Sequence, residues 1–421
     1  MIKEYKKLVL KGNFGFLWFS QILSQLTVNI INFLILTRLF TITQSAIATS
    51  MLWVAYALPA VFIGPFGAAA VDMLSRRKLL MYSNILQGLT VLTYALLLQR
   101  GLFLPYGFAM IYSFINQFND PAEAATVPAL VDKKRLHLAN GLMFLTSQAS
   151  LITGYGIAGL LQTVFGYRNS LILCSGFLMI GALSVSFIPE IKSEDFIPAS
   201  IEHAVIKFFS RISEGYKFIK NHKEVLTPFL MLIGLQVTLS VITINVPVIA
   251  AEIFKINVNT AGLYIVVPAG FGAIFGAITI NKLLKKGWRK KKAIETFLIV
   301  ELFVFLTLSL AIGFIPLKSL RVLLGMVTVA VAGFGFVGLF IPIQTFLQEV
   351  TPGGLRGRVF GNFSFLVTIA TIFPVIFSGA ITEIFSVQTM MFFLALIVGG
   401  TLFFSKRFGQ KFLENGMQNG K

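Results

Sequence analysis

Twelve apolar runs of about 20–27 residues follow one another along this chain of 421 residues. Each is long enough, as a helix, to cross a hydrocarbon core of about 30 Å. They lie near Phe14–Phe40, Ala46–Val71, Leu79–Gln99, Leu104–Leu130, Leu138–Phe165 and Ser170–Pro189, then Val225–Ala250, Ala261–Leu284, Ala293–Ile315, Leu320–Gln348, Val359–Phe385 and Thr389–Ser405. Only 12% of residues are charged, against about 25% in an ordinary soluble domain. That deficit extends over the whole length, so the chain reads as a polytopic membrane protein and not as a soluble domain with an anchor.

The net charge of +18 suggests nucleic acid at first sight. The cations, however, gather in short clusters between the apolar runs and not on one soluble face, which excludes that partner. With twelve spans both termini share a side. That side carries 29 of the 35 Lys and Arg residues. The other carries Arg38, Arg100, Arg168, Lys255, Lys318 and Arg321. Positive charge is retained in the cytoplasm, so both termini are expected there, in a bacterial plasma (inner) membrane. The basic start is followed by too long an apolar run for a signal-peptide core, so a retained first span is expected. Cys174 is the only cysteine and reads as a small packing residue. His137, His203 and His222 lack metal-ligand spacing, and neither HExxH nor GxxxxGK[ST] occurs. No catalytic residues, metal or cofactor are expected.

The stretch Gly64–Lys78, GPFGAAAVDMLSRRK, ends the second run with Asp72 followed by Arg76, Arg77 and Lys78. Each central Lys or Arg costs roughly 2.5–3.5 kcal/mol in hydrocarbon, so the helix must end there. A related pattern recurs 209 residues later, where Gly67, Asp72, Arg76 and Arg77 map onto Gly276, Asn281, Lys285 and Lys286. The fold class is therefore an all-α membrane protein with twelve transmembrane helices in two six-helix pseudo-repeats. Residues 1–190 form the first half and 225–421 the second. Residues 191–224 form a cytoplasmic linker. In it Ile201, Ala204, Val205, Phe208, Ile212 and Ile219 make an apolar stripe away from Lys207, Lys217 and Lys220, as on an amphipathic helix lying on the inner leaflet.

Polar residues inside the runs are few and ordered. Gln21, Gln25, Asn29 and Asn32 share one face of span 1. Tyr112, Asn116, Asp120 and Glu123 share one face of span 4, and Gln236, Ser240 and Thr243 one face of span 7. Such stripes either line a water-filled cavity or bond neighbouring helices. Spans 3, 6 and 12 read as more uniformly apolar, like lipid-facing helices. Asp120, Glu123 and Glu301 lie away from span ends, and an ionisable residue inside a membrane is a functional candidate by default. Around Glu301, Phe297, Val304 and Phe305 are apolar, which favours a structural hydrogen bond.

The two halves, the basic central loop and the loop at Asp72 resemble the major facilitator superfamily over nearly the whole chain. The family's loop motif, Gly-x-x-x-Asp-Arg-x-Gly-Arg-Arg/Lys, meets Ala68, Asp72, Met73, Ser75, Arg76 and Arg77 here, so the acid and two cations match while both glycines and the first arginine do not. Within the family, Pro121–Leu161 and the loop Gln348–Gly361 are similar to the macrolide-efflux and enterobactin-exporter type, generally proton-driven exporters of amphipathic compounds. Val28-Asn29 stands where an acid is common there, and Glu123 where an arginine is usual.

The resemblance implies alternating access by rocking of the two halves about a midplane site. It implies a substrate cavity lined by Gln21, Gln25, Asn29, Tyr112, Asn116, Gln236, Ser240 and Thr243. It also implies a cytoplasmic gate at Asp72, Arg76 and Arg77 with Arg356 and Arg358, and proton coupling through Asp120, Glu123 or Glu301. The expected partners are a small amphipathic substrate, protons and the lipid bilayer, and the expected state is a monomer. A lipid or lysophospholipid flippase of the same fold is the alternative. A non-transporting receptor or an intramembrane enzyme is more remote, since the chain has neither a soluble sensing domain nor a catalytic constellation.

Overall fold

The computed structural model describes residues 8–9, 12–97, 101, 103–132, 135–190, 201–352 and 355–418. All regular structure among them is helical. Helices α1 (Phe14–Thr43), α2 (Ala46–Met73), α3 (Arg76–Leu97) and α4 (Leu104–Leu130) are followed by α5 (Leu136–Ser186). Helix α6 (Ile201–Asn221) precedes α7 (Lys223–Ile244), α8 (Val267–Lys285), α9 (Lys290–Leu310), α10 (Lys318–Val350), α11 (Arg356–Ile384) and α12 (Val387–Gln418).

Ten helices among the described residues are long and apolar enough to cross a membrane. One of them, α5, is two spans: Gly166 sits inside it at φ 77° and ψ 164°. A side chain rarely adopts that backbone, so glycine is what lets the chain turn there without strain. Helix α4 adds the span that carries Asp120 and Glu123. Together these account for the twelve crossings that the apolar runs predict.

Two compact units result. The first contains Met1–Leu39 and Met51–Phe209, the second Phe40–Ser50 and Ser210–Lys421. The turn joining α1 to α2 thus belongs with the second unit. There a Glu383 carboxylate oxygen accepts hydrogen bonds from the Ser45 hydroxyl at 2.5 Å and from the Ile47 amide at 3.0 Å. The second bond satisfies a backbone donor left open at the start of α2, where a helix N-terminus also favours negative charge.

Each unit has an apolar core near the cation-rich helix ends. In the first, Phe14, Leu17, Val71, Leu80, Val127 and Val185 meet. In the second, Val225, Phe229, Ile280, Phe297, Ile343 and Val359 do so, and Ile219 of α6 is buried with them. Within the linker, Ile201–Asn221 is therefore helical, and the end of that helix is anchored in the second core. The side chains of Ile201, Ala204, Val205, Lys207 and Phe208 lie outside the described residues, as do residues 191–200.

Association of helices in a bilayer rests on close packing and not on the hydrophobic effect, because lipid tails are as apolar as leucine. The repeat Gly67/Gly276 shows where that closeness is needed. A Cβ on Gly67 would overlap the Gln117 carbonyl of α4, and one on Gly276 would meet the Phe334 carbonyl of α10 at 2.6 Å. Each glycine thus lets its helix rest on the backbone of the helix two spans later.

Near the opposite end of the second unit, α7 does not run straight to its terminus. It pauses at Asn245, before Pro247, and continues as a π-helix over Ile249–Phe254. Proline supplies no N–H for the helical ladder, which is a sufficient cause for the change. Buried Arg321 then donates to the carbonyls of Phe254 at 3.0 Å and Ile315 at 2.9 Å. A cation there satisfies carbonyls that a helix end leaves open.

Gly276→Val should destabilise the second unit by about 1–3 kcal/mol, the usual cost of overpacking. Gly234→Ala, at a glycine with open space around it, is the control. Thermal unfolding in detergent should show a clear drop for the first and almost none for the second. Equal melting temperatures would contradict the packing described here.

Candidate functional site

In the first unit the polar faces of α3 and α4 meet. Gln87 of α3 is fully buried, and its Nε2 donates to Asn116 Oδ1 at 3.2 Å. Asn116 Nδ2 in turn donates to Asp120 Oδ2 at 2.7 Å. The result is a polar chain running from the helix interface to a carboxylate on an exposed face of α4. The span 4 stripe explains its second and third members, which lie one helical turn apart. Glu123 follows on the same helix, half-buried. Ser113 of α4 donates to the Tyr56 carbonyl at 2.6 Å, tying α2 to this helix.

Helix α3 is less uniformly apolar than span 3 was expected to be: Ser83, Asn84 and Gln87 are buried on one face, while Tyr82, Leu86, Leu89 and Leu96 are exposed on another. Asn84 Nδ2 donates to the Leu80 carbonyl at 3.0 Å and to Ser20 Oγ at 3.4 Å. The three were passed over because the span's mean composition is apolar. Their spacing of one, three and four residues puts them on one helical face, and that was the available signal.

The α1 stripe serves more than one purpose. Gln21 is buried and donates to the Met143 carbonyl of α5 at 3.2 Å, so it bonds neighbouring helices. Asn29 donates to the Gln25 carbonyl at 2.7 Å, and both residues are half-buried, as is Asn32. Tyr112 is buried against Phe108, with ring centroids 5.7 Å apart, which does not match the open position expected for it. On the outside of α2 and α4, Leu58, Phe62, Ile63, Met110, Ile111 and Phe114 line an apolar groove of about 460 Å³.

At the loop between α2 and α3, Arg76 donates to the Ala125 carbonyl of α4 at 2.9 Å. Arg77 is half-buried, and Lys78 lies 3.6 Å from Glu190. The side chains of Asp72, Arg356 and Arg358 lie outside the described residues, as do Lys133 and Lys134.

In the second unit Gln236, Ser240 and Thr243 of α7 are half-buried. Thr243 satisfies its hydroxyl on the Leu239 carbonyl at 2.7 Å. Asn245, which the sequence reading did not single out, is fully buried and donates to Ser378 Oγ of α11 at 3.1 Å. Glu301 is buried on α9, close to Gly335 of α10. Its Oε1 has no hydrogen-bond partner among the described residues. No group of three or more His, Cys, Asp or Glu side chains able to hold a metal occurs among the described residues.

These features define a polytopic helical membrane protein whose few intramembrane polar groups are gathered on particular helix faces, the arrangement of a transport protein. The chain belongs to the Major Facilitator Superfamily, whose sequence profile matches residues 17–375.

It is 25% identical over 379 residues to a putative bacilysin exporter, BacE, of Bacillus subtilis (strain 168), covering 87% of each chain. It is 24% identical over 386 residues to macrolide efflux protein A of Streptococcus pyogenes, covering 89% of this chain and 90% of that protein. Among solved structures, the nucleoside transporter NupG superposes with a TM-score of 0.69 at 14% identity, covering 93% of this chain and 99% of that one. A bacterial homolog of the human lysosomal transporter Spinster, inward-facing and occupied, gives 0.68 at 12% identity over 94% and 96%. At such identities the superpositions establish the fold and nothing finer.

Proposed function

We propose that this transporter exports a small amphipathic compound from a bacterial cytoplasm by alternating access, driven by the proton gradient. The observation that carries the reading is the chain Gln87–Asn116–Asp120, which ends on a carboxylate within a membrane-spanning helix. An acid at such depth is costly to keep and marks a proton or substrate path. Asp120, with Glu123 nearly one turn further on, takes up and releases the coupling proton, and Glu301 is a second candidate for that role. Gln25, Asn29, Asn116, Gln236, Ser240 and Thr243 line the substrate cavity, since pockets for amphipathic ligands are mostly apolar with few polar groups. Exporters of bacilysin and macrolides among the relatives support this substrate class and direction. The protein works as a monomer in the plasma membrane, with both termini in the cytoplasm.

A flippase is the second reading. The apolar groove at Phe62 and Phe114 favours it, because a lipid tail entering sideways needs such a surface.

In proteoliposomes loaded with candidate amphipathic substrates, Asp120→Asn or Glu123→Gln should abolish uphill transport driven by a proton gradient. Downhill exchange of substrate should survive. Retention of gradient-driven transport with the parental pH profile by both variants would rule out these acids as the coupling site. Wild-type transport that ignores a collapsed gradient would favour the flippase.

The gate reading assigns Asp72, beside Arg76 and Arg77, to a cytoplasmic latch with Arg356 and Arg358. Asp72→Asn should reduce transport several-fold and make cavity cysteines more reactive from the cytoplasm. Unchanged transport together with unchanged reactivity would count against a latch.

Topology is tested by single cysteines at positions 318 and 290. The native Cys174 is buried and leaves a quiet background. A membrane-impermeant reagent added to whole cells should label Lys318→Cys and spare Lys290→Cys; the reverse pattern would overturn the orientation.

A further inference from the structure

A second cavity, unrelated to the polar faces above, lies wholly inside the second unit. It holds about 600 Å³ and is formed by α7, α9, α10 and α12. Its walls are graded along the helices. Glu224 and Thr227 on α7, Lys291 on α9 and Ser405 on α12 line one end. Met231, Ile343 and Ile397 line the other. From Glu224 to Met231 the helix rises about 10 Å at about 1.5 Å per residue, so the slot reaches well into one leaflet of a core about 30 Å thick. The polar end is at the cation-rich side, beside Lys290 and Lys292.

The charges at the mouth are of both signs. Lys291 is in the first turn of α9, where the helix N-terminus adds partial positive charge. It is held only loosely, 3.9 Å from Glu295, whose Oε1 also accepts from the Ser405 hydroxyl at 3.2 Å. Glu224, in the first turn of α7, has no ion-pair partner among the described residues. An apolar slot with an ammonium and a carboxylate at one end is complementary to an amphiphile that carries an anion and a cation next to each other above an acyl chain.

We propose that this slot binds a phosphatidylethanolamine of the cytoplasmic leaflet. One acyl chain lies against Met231, Ile343 and Ile397. The phosphate meets Lys291 at the N-terminus of α9, and the headgroup ammonium donates to Glu224. An anionic lipid satisfies Lys291 but is repelled by Glu224, so the pair of charges selects the zwitterion. The proposal rests on the orientation given under the proposed function and not on the identity of the exported compound.

The test is lipid binding to the full-length protein in detergent, read by native mass spectrometry with defined phosphatidylethanolamine and phosphatidylglycerol. Wild type should retain the former at least about fivefold better. Lys291→Gln and Glu224→Gln should each reduce that retention about fivefold or more. Gly400→Leu, which grows into open space in the slot, should do the same. A Glu224→Gln variant that gains phosphatidylglycerol while keeping phosphatidylethanolamine unchanged overturns the zwitterion in favour of an anionic lipid. No loss in any of the three variants overturns the slot as a lipid site. The two charge variants decide the matter if Gly400→Leu fails to fold. Transport is not read, so failure of the exporter reading leaves the result interpretable.

Discussion

Polar side chains inside hydrocarbon have few partners to choose from, and the arrangement of this molecule follows from where they find them. With so little water available, an amide or carboxyl group must bond a neighbouring helix, bond its own backbone or open to an aqueous space. The first two solutions are made by hydrogen bonds. Gln21 bonds the Met143 carbonyl across helices. Thr243 turns back on its own helix. Asp120 receives a single bond from Asn116 and keeps an exposed face. Some buried atoms find none of these, among them Glu301 Oε1, Thr27 Oγ1 and Gln87 Oε1, which have no hydrogen-bond partner among the described residues.

The same constraint explains why the fold was legible and the site only partly so. Length of apolar runs and clustering of cations are one-dimensional signals, and they locate twelve crossings without knowledge of contacts. Two departures are local. Gly166 leaves the helical backbone conformation inside α5, so one element carries two spans. Span 7 ends in a π-helix after Pro247, which cannot donate to the ladder, and Arg321 donates to the Phe254 carbonyl at the end of that π-helix. The turn at Phe40–Ser50 belongs with the second unit through Glu383, a pairing separated by more than three hundred residues that no periodicity reveals.

The site depends on which stripe faces which neighbour. Periodicity put Asn116 and Asp120 on one face, and the structure links them. It also grouped Gln21 with Gln25 and Asn29, although Gln21 is sealed against α5 while the others stay half-open. Gln87 was hidden for a different reason. One amide in an apolar span hardly moves the mean hydropathy, and only its contact with Asn116 gives it weight. The glycines at Gly67 and Gly276 are the counterpart on the packing side. Their repeat was visible in sequence, but its purpose, the resting of one helix on the backbone of another, needed coordinates.

The central claim is that the acid-bearing face of α4 looks onto water and not onto lipid. The most direct measurement is the reactivity of Asp120→Cys in membranes toward a water-soluble, charged thiol reagent compared with a lipid-soluble one. The account predicts rapid modification by the charged reagent, slowed when a transported amphipathic compound is present. Modification by the lipid-soluble reagent alone would place that face in the bilayer and contradict it.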